Sequence, residues 1–251
     1  MTGGHLAGKV VLITGASSGI GAGLARACSH GGARVALVAR SERELMETAR
    51  DCPGETAVLP GDATCDADRK SIVGSVVRRW GGLDILVNSA GIGCYGAFDE
   101  LEERDLRDVL EINLVAAFRM TQEALRVMRV VNRGLILQVA STGGLIAHAA
   151  KVSAYLASKH ALVGMSRGLR RDLEGTGIRV QVACPHLTDT PFFGRGHGAE
   201  EMKAVADSLR DRMDTADEVA QGIVKGMDSD RFVIFPTSRA RAAYERFAEG
   251  L

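Results

Sequence analysis

Short runs of aliphatic and β-branched residues recur along the chain, separated by longer stretches whose apolar positions fall three or four apart. The first run, Val10–Thr14, leads through a glycine turn into an apolar helical stretch over 19–30. Further runs predict strands at 34–39, 56–59, 85–88, 135–140 and 179–184, with a last one at 232–235. The intervening patterns predict helices over 41–51, 67–80, 101–128 and 154–175. Strands apolar on every residue are buried on both faces, and their alternation with helices predicts a parallel sheet in a three-layer α/β/α arrangement. No linker, repeat or low-complexity stretch breaks the pattern, so one domain over 1–251 is expected.

Composition narrows the function. Lys plus Arg equal Asp plus Glu at 31 each, so no global field draws nucleic acid or an anionic membrane. No segment approaches the ~20 apolar residues of a membrane span, and the opening residues lack the pattern of a signal peptide; a cytoplasmic location is expected. Cys28, Cys52, Cys65, Cys94 and Cys184 are odd in number and form no C-x-x-C pair, which favours free thiols. No histidine or cysteine spacing suggests a metal site.

Candidate chemistry begins at the turn after the first strand, Thr14-Gly15-Ala16-Ser17-Ser18-Gly19-Ile20-Gly21. Glycines there allow a tight turn and a close approach of backbone N–H groups to a pyrophosphate, with the following helix N-terminus aimed at the phosphates. The second strand ends in Ala39-Arg40-Ser41. An acidic residue at this point would take the ribose hydroxyls and favour NAD(H); Arg40 suits a phosphate instead and favours NADP(H). Asp62, followed by Ala63 after the third strand, is placed to accept from the adenine amino group or to serve as a turn residue.

Tyr155 and Lys159 stand at i and i+4 of a predicted helix, on one face and one turn apart. A free phenol titrates near ~10, and a neighbouring ammonium moves it toward the working range of a proton donor. Asn88-Ser89-Ala90-Gly91 ends the fourth strand, Asn113 sits in an apolar helical run, and Ser141 follows a strand end, where α/β sheets place ligands.

In this order the segments resemble the classical short-chain dehydrogenase/reductase family: Thr14–Gly21, Asn88–Gly91, Asn113, Ser141 and Tyr155-x-x-x-Lys159 match its signatures. The resemblance implies a Rossmann-like doubly wound sheet of about seven strands and hydride transfer between a nicotinamide cofactor and a ketone, aldehyde or alcohol. It assigns Tyr155 as acid/base, Ser141 as the bond to the substrate oxygen, and Lys159 as the group that lowers the Tyr155 pKa and holds the ribose. Asn113 would anchor a relay water. Gly15, Ser17, Ser18, Gly19, Ile20, Gly21, Arg40, Ser41, Asp62, Ala63, Asn88, Ala90, Gly91, Tyr155, Lys159, Pro185, Thr188 and Thr190 would contact the cofactor. A catalytically silent NADP-binding sensor or scaffold is the alternative on the same fold, and an isomerase or dehydratase a third reading.

The chain departs from the family at Pro185-His186, where a glycine usually follows the proline, and at Ser18, where NADP-preferring members often carry a basic residue. Thr142 competes with Ser141 for the serine role, although the S-x-x-G pattern favours Ser141. A pocket with Tyr95, Phe98, Leu145, Ile146, Phe192 and Phe193 suits an apolar or aromatic carbonyl compound; His148 and His186 are further candidates for its wall. Residues 186–213 are expected to form a lid, with glycines over 194–198 and an amphipathic helix over 199–212. A homodimer or homotetramer would pair through the long helices, with Val115, Phe118, Leu162, Met165 and Leu169 as apolar candidates.

Overall fold

The computed structural model describes residues 6–147 and 149–248. Its centre is a parallel sheet of seven strands: β1 (Val10–Thr14), β2 (Arg34–Ala39), β3 (Thr56–Pro60), β4 (Ile85–Asn88), β5 (Gly134–Val139), β6 (Ile178–Ala183) and β7 (Val233–Ile234). They lie in the order β7-β6-β5-β4-β1-β2-β3, so the chain starts in the middle, builds one edge and returns to build the other. This is the doubly wound Rossmann-like arrangement, whose switch point between β1 and β4 opens a crevice at the strand ends.

Helices cover both faces: α1 (Gly19–His30), α2 (Glu42–Arg50), α3 (Asp66–Trp80), α4 (Glu103–Leu110), α5 (Ala116–Met128), α6 (Ser153–Asp172), α7 (Ala199–Ser208), α8 (Ala216–Met227) and α9 (Ser238–Ala248). The pleat sorts the core into two layers, since successive side chains leave a strand on opposite faces. Val11, Ile13, Val35, Leu37 and Val87 pack with Leu24 of α1 and Ile223 of α8. Val10, Leu12, Ala36, Val38 and Leu86 pack with Ile72 of α3 and Met120 of α5 on the other side. Strands with no polar alternation are thereby accounted for.

The predicted helix over 101–128 proves to be two helices joined by a π-helical turn, Glu111–Val115. Asn113 lies inside it, and its Oδ1 accepts from the Ile92 N–H at 2.8 Å while Nδ2 donates to the Ile92 carbonyl at 3.0 Å and to Ser158 Oγ at 3.0 Å. Reaching a neighbouring loop and α6 together favours the wider turn, a common site of such bulges. The helix predicted over 199–212 ends as α7 at Ser208, with a 3-10 turn at Arg210–Arg212.

Candidate functional site

The glycine loop has a steric reason for each motif glycine. Gly15 has φ +69°, and a Cβ there would lie 2.8 Å from the Ala90 backbone; Gly19 has φ +54° and would meet Thr190 at 3.1 Å. A Cβ on Gly21 would strike the Gly15 carbonyl. The loop is thus pressed between the end of β4 and the segment that follows β6, with its backbone bare toward the cleft. Thr14 Oγ1 accepts from the N–H groups of Ser89 and Ala90 at 3.1 and 3.2 Å, which locks the two central strand ends together. Such a cradle fits a dinucleotide: the residues around Gly15–Gly21 and Ser89–Gly91 would hold its pyrophosphate and ribose.

A cavity of about 940 Å³ runs from this loop past Ser141, Tyr155 and Lys159 to α7 and α9. Tyr155 and Lys159 enter it from α6, Ser141 from the end of β5. Ser141 stands near enough to the Tyr155 phenol to lower its pKa, and its Oγ accepts from the Gly143 N–H at 3.0 Å. The Thr142 hydroxyl is instead bonded to His186 Nδ1 at 2.9 Å, so Ser141 is the residue aligned with the phenol. Lys159 is buried, and its Nζ donates to the Val139 carbonyl at 3.1 Å and lies 5.8 Å from the Tyr155 ring centre.

A model of the short chain dehydrogenase family matches residues 9–200. The chain belongs to the short-chain dehydrogenase family. As an oxidoreductase of this family, it is 40% identical over 202 residues to a Streptomyces violaceoruber protein assigned as ketoacyl reductase 1 of the granaticin polyketide synthase, covering 77% of this chain and 73% of that one. Bovine (Bos taurus) L-fucose dehydrogenase is 34% identical over 192 residues, 76% of this chain and 70% of the relative. Among solved structures, an actinorhodin polyketide ketoreductase variant crystallised with NADPH superposes with a TM-score of 0.76 at 34% identity, over 86% of this chain and 88% of its own.

The dehydrogenase brings most of the expected residues to one cleft. Gly15, Ser17, Ser18, Gly19, Ile20, Gly21, Ala90, Gly91, Pro185, Thr188 and Thr190 line it with Ser141, Tyr155 and Lys159. Arg40 and Ser41 stand outside the cavity at the start of α2, where Ser41 Oγ caps the Glu44 N–H at 3.3 Å. Asp62 caps the next turn through the Thr64 N–H and hydroxyl at 2.9 and 2.8 Å, and Ala63 gives its carbonyl to Arg69. Partial burial pushes the Asp62 carboxyl up, but the Thr64 bonds and the nearby Arg40 and Arg69 more than offset it and hold the group below its usual range. Asn88 turns its amide away from the cleft, donating to the Ala117 carbonyl and to Thr121 Oγ1, which also accepts from Gln138.

Burial, rather than the neighbouring ammonium, dominates the titration of the Tyr155–Lys159 pair. It pushes the phenol up to about 12, with the Ser141 bond offsetting part of the shift. It also pulls the Lys159 amine down to about 8. Both groups lose hydration on entering the fold, and each is thereby biased toward its neutral form.

The apolar wall differs from expectation in three places. Tyr95, Phe192 and Phe193 line the cavity, and the Phe192 ring lies 5.6 Å from Tyr155. Phe98 is 83% exposed, Ile146 is fully buried, and Leu145 packs on the core cluster around Leu162 and Val163. His148 lies outside the described residues. Their places are taken by Met202, Val205, Ala206 and Leu209, the apolar face of the amphipathic stretch expected over 199–212, and by Phe247 of α9, to which no sequence signal pointed.

Proposed function

We propose that this oxidoreductase is an NADP(H)-dependent reductase of an apolar or aromatic ketone, with Tyr155 as the proton donor. The carrying observation is that Ser141, Tyr155 and Lys159 line one cavity, whose walls also include the glycine cradle and the apolar side chains of Phe192, Phe193, Met202 and Val205. The similarity to a ketoacyl reductase and to an NADPH-bound ketoreductase supports the same reading.

When bound, the nicotinamide supplies the hydride. Tyr155, protonated at neutral pH because burial pushes its pKa up to about 12, gives its proton to the carbonyl oxygen as negative charge develops there. Ser141 donates a second hydrogen bond to that oxygen and aligns it. Lys159, on the same helix face, holds the ribose hydroxyls and restores the phenolic proton. Asn113, with its amide spent on Ile92 and Ser158, is a positioning residue that fixes the loop after β4 against α6. Arg40, with no acidic residue in Ala39–Ser41, binds the adenosine 2′-phosphate, while Ser18 and Asp62 complete the adenosine corner. The unit acts as one domain, with 186–213 as its lid.

The test is turnover of reduced cofactor with a panel of aryl and alkyl ketones. NADPH consumption by the wild type, lost in Tyr155→Phe while NADPH binding persists, is the expected result. Equal turnover by both proteins would remove Tyr155 from the mechanism, and substrate conversion without net oxidation of NADPH would replace reduction with isomerisation.

A further inference from the structure

Arg195 follows the 3-10 turn Pro191–Gly194 and belongs to the segment that leads into α7. It lines the cavity, and its guanidinium reaches across to the nucleotide side. Nη1 donates to the Ser18 hydroxyl at 3.2 Å, and Nη2 lies 3.6 Å from Oε1 of Glu44. Ser18 is the residue before α1, and Glu44 is in the first turn of α2, directly after Arg40 and its capping neighbour Ser41. Arg195 therefore bridges the glycine loop and the first turn of α2, the helix that Arg40 and Ser41 precede.

A carboxylate in the first turn of a helix is favourable in itself, so Glu44 does not require a partner. Exposed ion pairs contribute little, and Arg195 is 47% exposed, so the contact is not needed for the fold. A planar guanidinium on a lid segment, held near a phosphate-binding loop by a replaceable counter-ion, is suited to binding a phosphate with two parallel hydrogen bonds.

Resting on the NADP(H) reading above, we propose that Arg195 is a second cation for the adenosine 2′-phosphate, exchanging Glu44 for the phosphate and so coupling cofactor choice to the lid. The phosphate outcompetes the carboxylate because it carries more charge and more acceptor oxygens. Since Arg195 precedes α7, the bond fastens the segment carrying Met202 and Val205 to the glycine-loop side, where Arg195 already meets Ser18. NADPH then orders the substrate wall and NADH does so less, a coupling between two sites through one element.

Calorimetric titration of NADPH and NADH into wild type, Arg195→Ala, Arg195→Lys and Glu44→Gln tests this. Arg195→Ala should weaken NADPH by about tenfold or more and NADH by less than about twofold, as expected for loss of a charge-assisted bond to one phosphate. Arg195→Lys should recover part of the loss, and Glu44→Gln should tighten NADPH. In hydrogen exchange, 199–208 should slow more with NADPH than with NADH, and that difference should vanish in Arg195→Ala. Equal weakening of both cofactors would move Arg195 to the shared pyrophosphate and overturn the proposal, and unchanged NADPH affinity would reduce it to a surface ion pair. Failure of the underlying reading looks different: the wild type would then bind NADH as tightly as NADPH before any substitution is made.

Discussion

The Thr142 hydroxyl and the His186 ring meet at 2.9 Å, Oγ1 to Nδ1, and tie the loop after β5 to the loop after β6. The Thr142 N–H also donates to the Pro185 carbonyl at 2.8 Å. His186 stands where the family usually has glycine, yet the only described non-glycine residues at positive φ are Asn132 and Lys151. The loop therefore does not need glycine's backbone freedom, and the imidazole adds a bond that glycine cannot make. Thr142→Val and His186→Ala should each lower stability by about 1 kcal/mol, or ~2–4 °C in Tm for a chain of this size. The double variant should lose little more than the worse single one, as for partners in one bond. Fully additive losses in thermal melts would show that the two side chains act separately.

Lys159 carries a stability cost tied to its role. Its folded pKa, about 8, lies below the ordinary 10.5, so the unfolded chain binds the extra proton more readily across that window. Stability attributable to this group is lowest below pH 8 and is regained as pH rises toward 10.5. Lys159→Met should abolish turnover while raising Tm at pH 7, and its advantage over wild type should shrink between pH 8 and 10.5. Loss of the bond to the Val139 carbonyl reduces the gain without reversing the slope. A Tm difference that is flat or grows over that window would contradict the burial argument.

Cofactor choice should respond to Arg40. Arg40→Ala should weaken NADPH by roughly tenfold or more through loss of charge-assisted bonds and leave NADH nearly unchanged. Competition by 2′,5′-ADP but not by 5′-AMP should weaken in parallel. A variant that loses affinity for both cofactors alike would place Arg40 away from the 2′-phosphate.

If the chain pairs through its long helices, the groove lined by Leu114, Val115, Phe118, Arg119, Ala161 and Met165 is where a second copy would seat. Val115 and Phe118 are 36% and 42% exposed, whereas Leu162 is buried in the protomer core. Phe118→Glu should shift the mass seen by light scattering toward a single chain, and Leu162→Glu should unfold the protomer instead. A wild type that scatters as a monomer at micromolar concentration would remove this interface.

Much of the fold was legible because β1, β2 and β4 are almost wholly apolar and β5 and β6 are interrupted only by Gln138 and by Arg179 and Gln181, a pattern with few competing interpretations. The chemistry was legible through spacing: an i, i+4 pair on a long helix and glycines at a strand end fix geometry locally. What spacing could not give came from contacts between distant segments. The π turn at Glu111–Val115 follows the demand of Asn113 for Ile92 and Ser158, which no local propensity encodes. Phe98 and Ile146 looked alike as apolar loop residues, yet Phe98 is exposed and Ile146 fully buried. The raised Tyr155 pKa likewise reflects depth, while sequence adjacency to Lys159 predicts the opposite shift.

The polar trio behind the cleft has a consequence for how the sheet finds its alignment. Asn88 and Gln138 are register partners on β4 and β5, and each gives an amide proton to the Thr121 hydroxyl at 3.1 Å. Strands made of Val, Ile and Leu bury similar hydrocarbon in several alignments. A slip of one residue would send Gln138 to the opposite face and leave buried amides without their shared hydroxyl, each at a cost of about 1–3 kcal/mol. The trio therefore works as a vernier: it stabilises little by itself but makes the neighbouring alignments expensive. Ser89–Gly91 and Ser141 leave their strands level with one another because of it, so the spacing of the cleft is set by side chains that never face it.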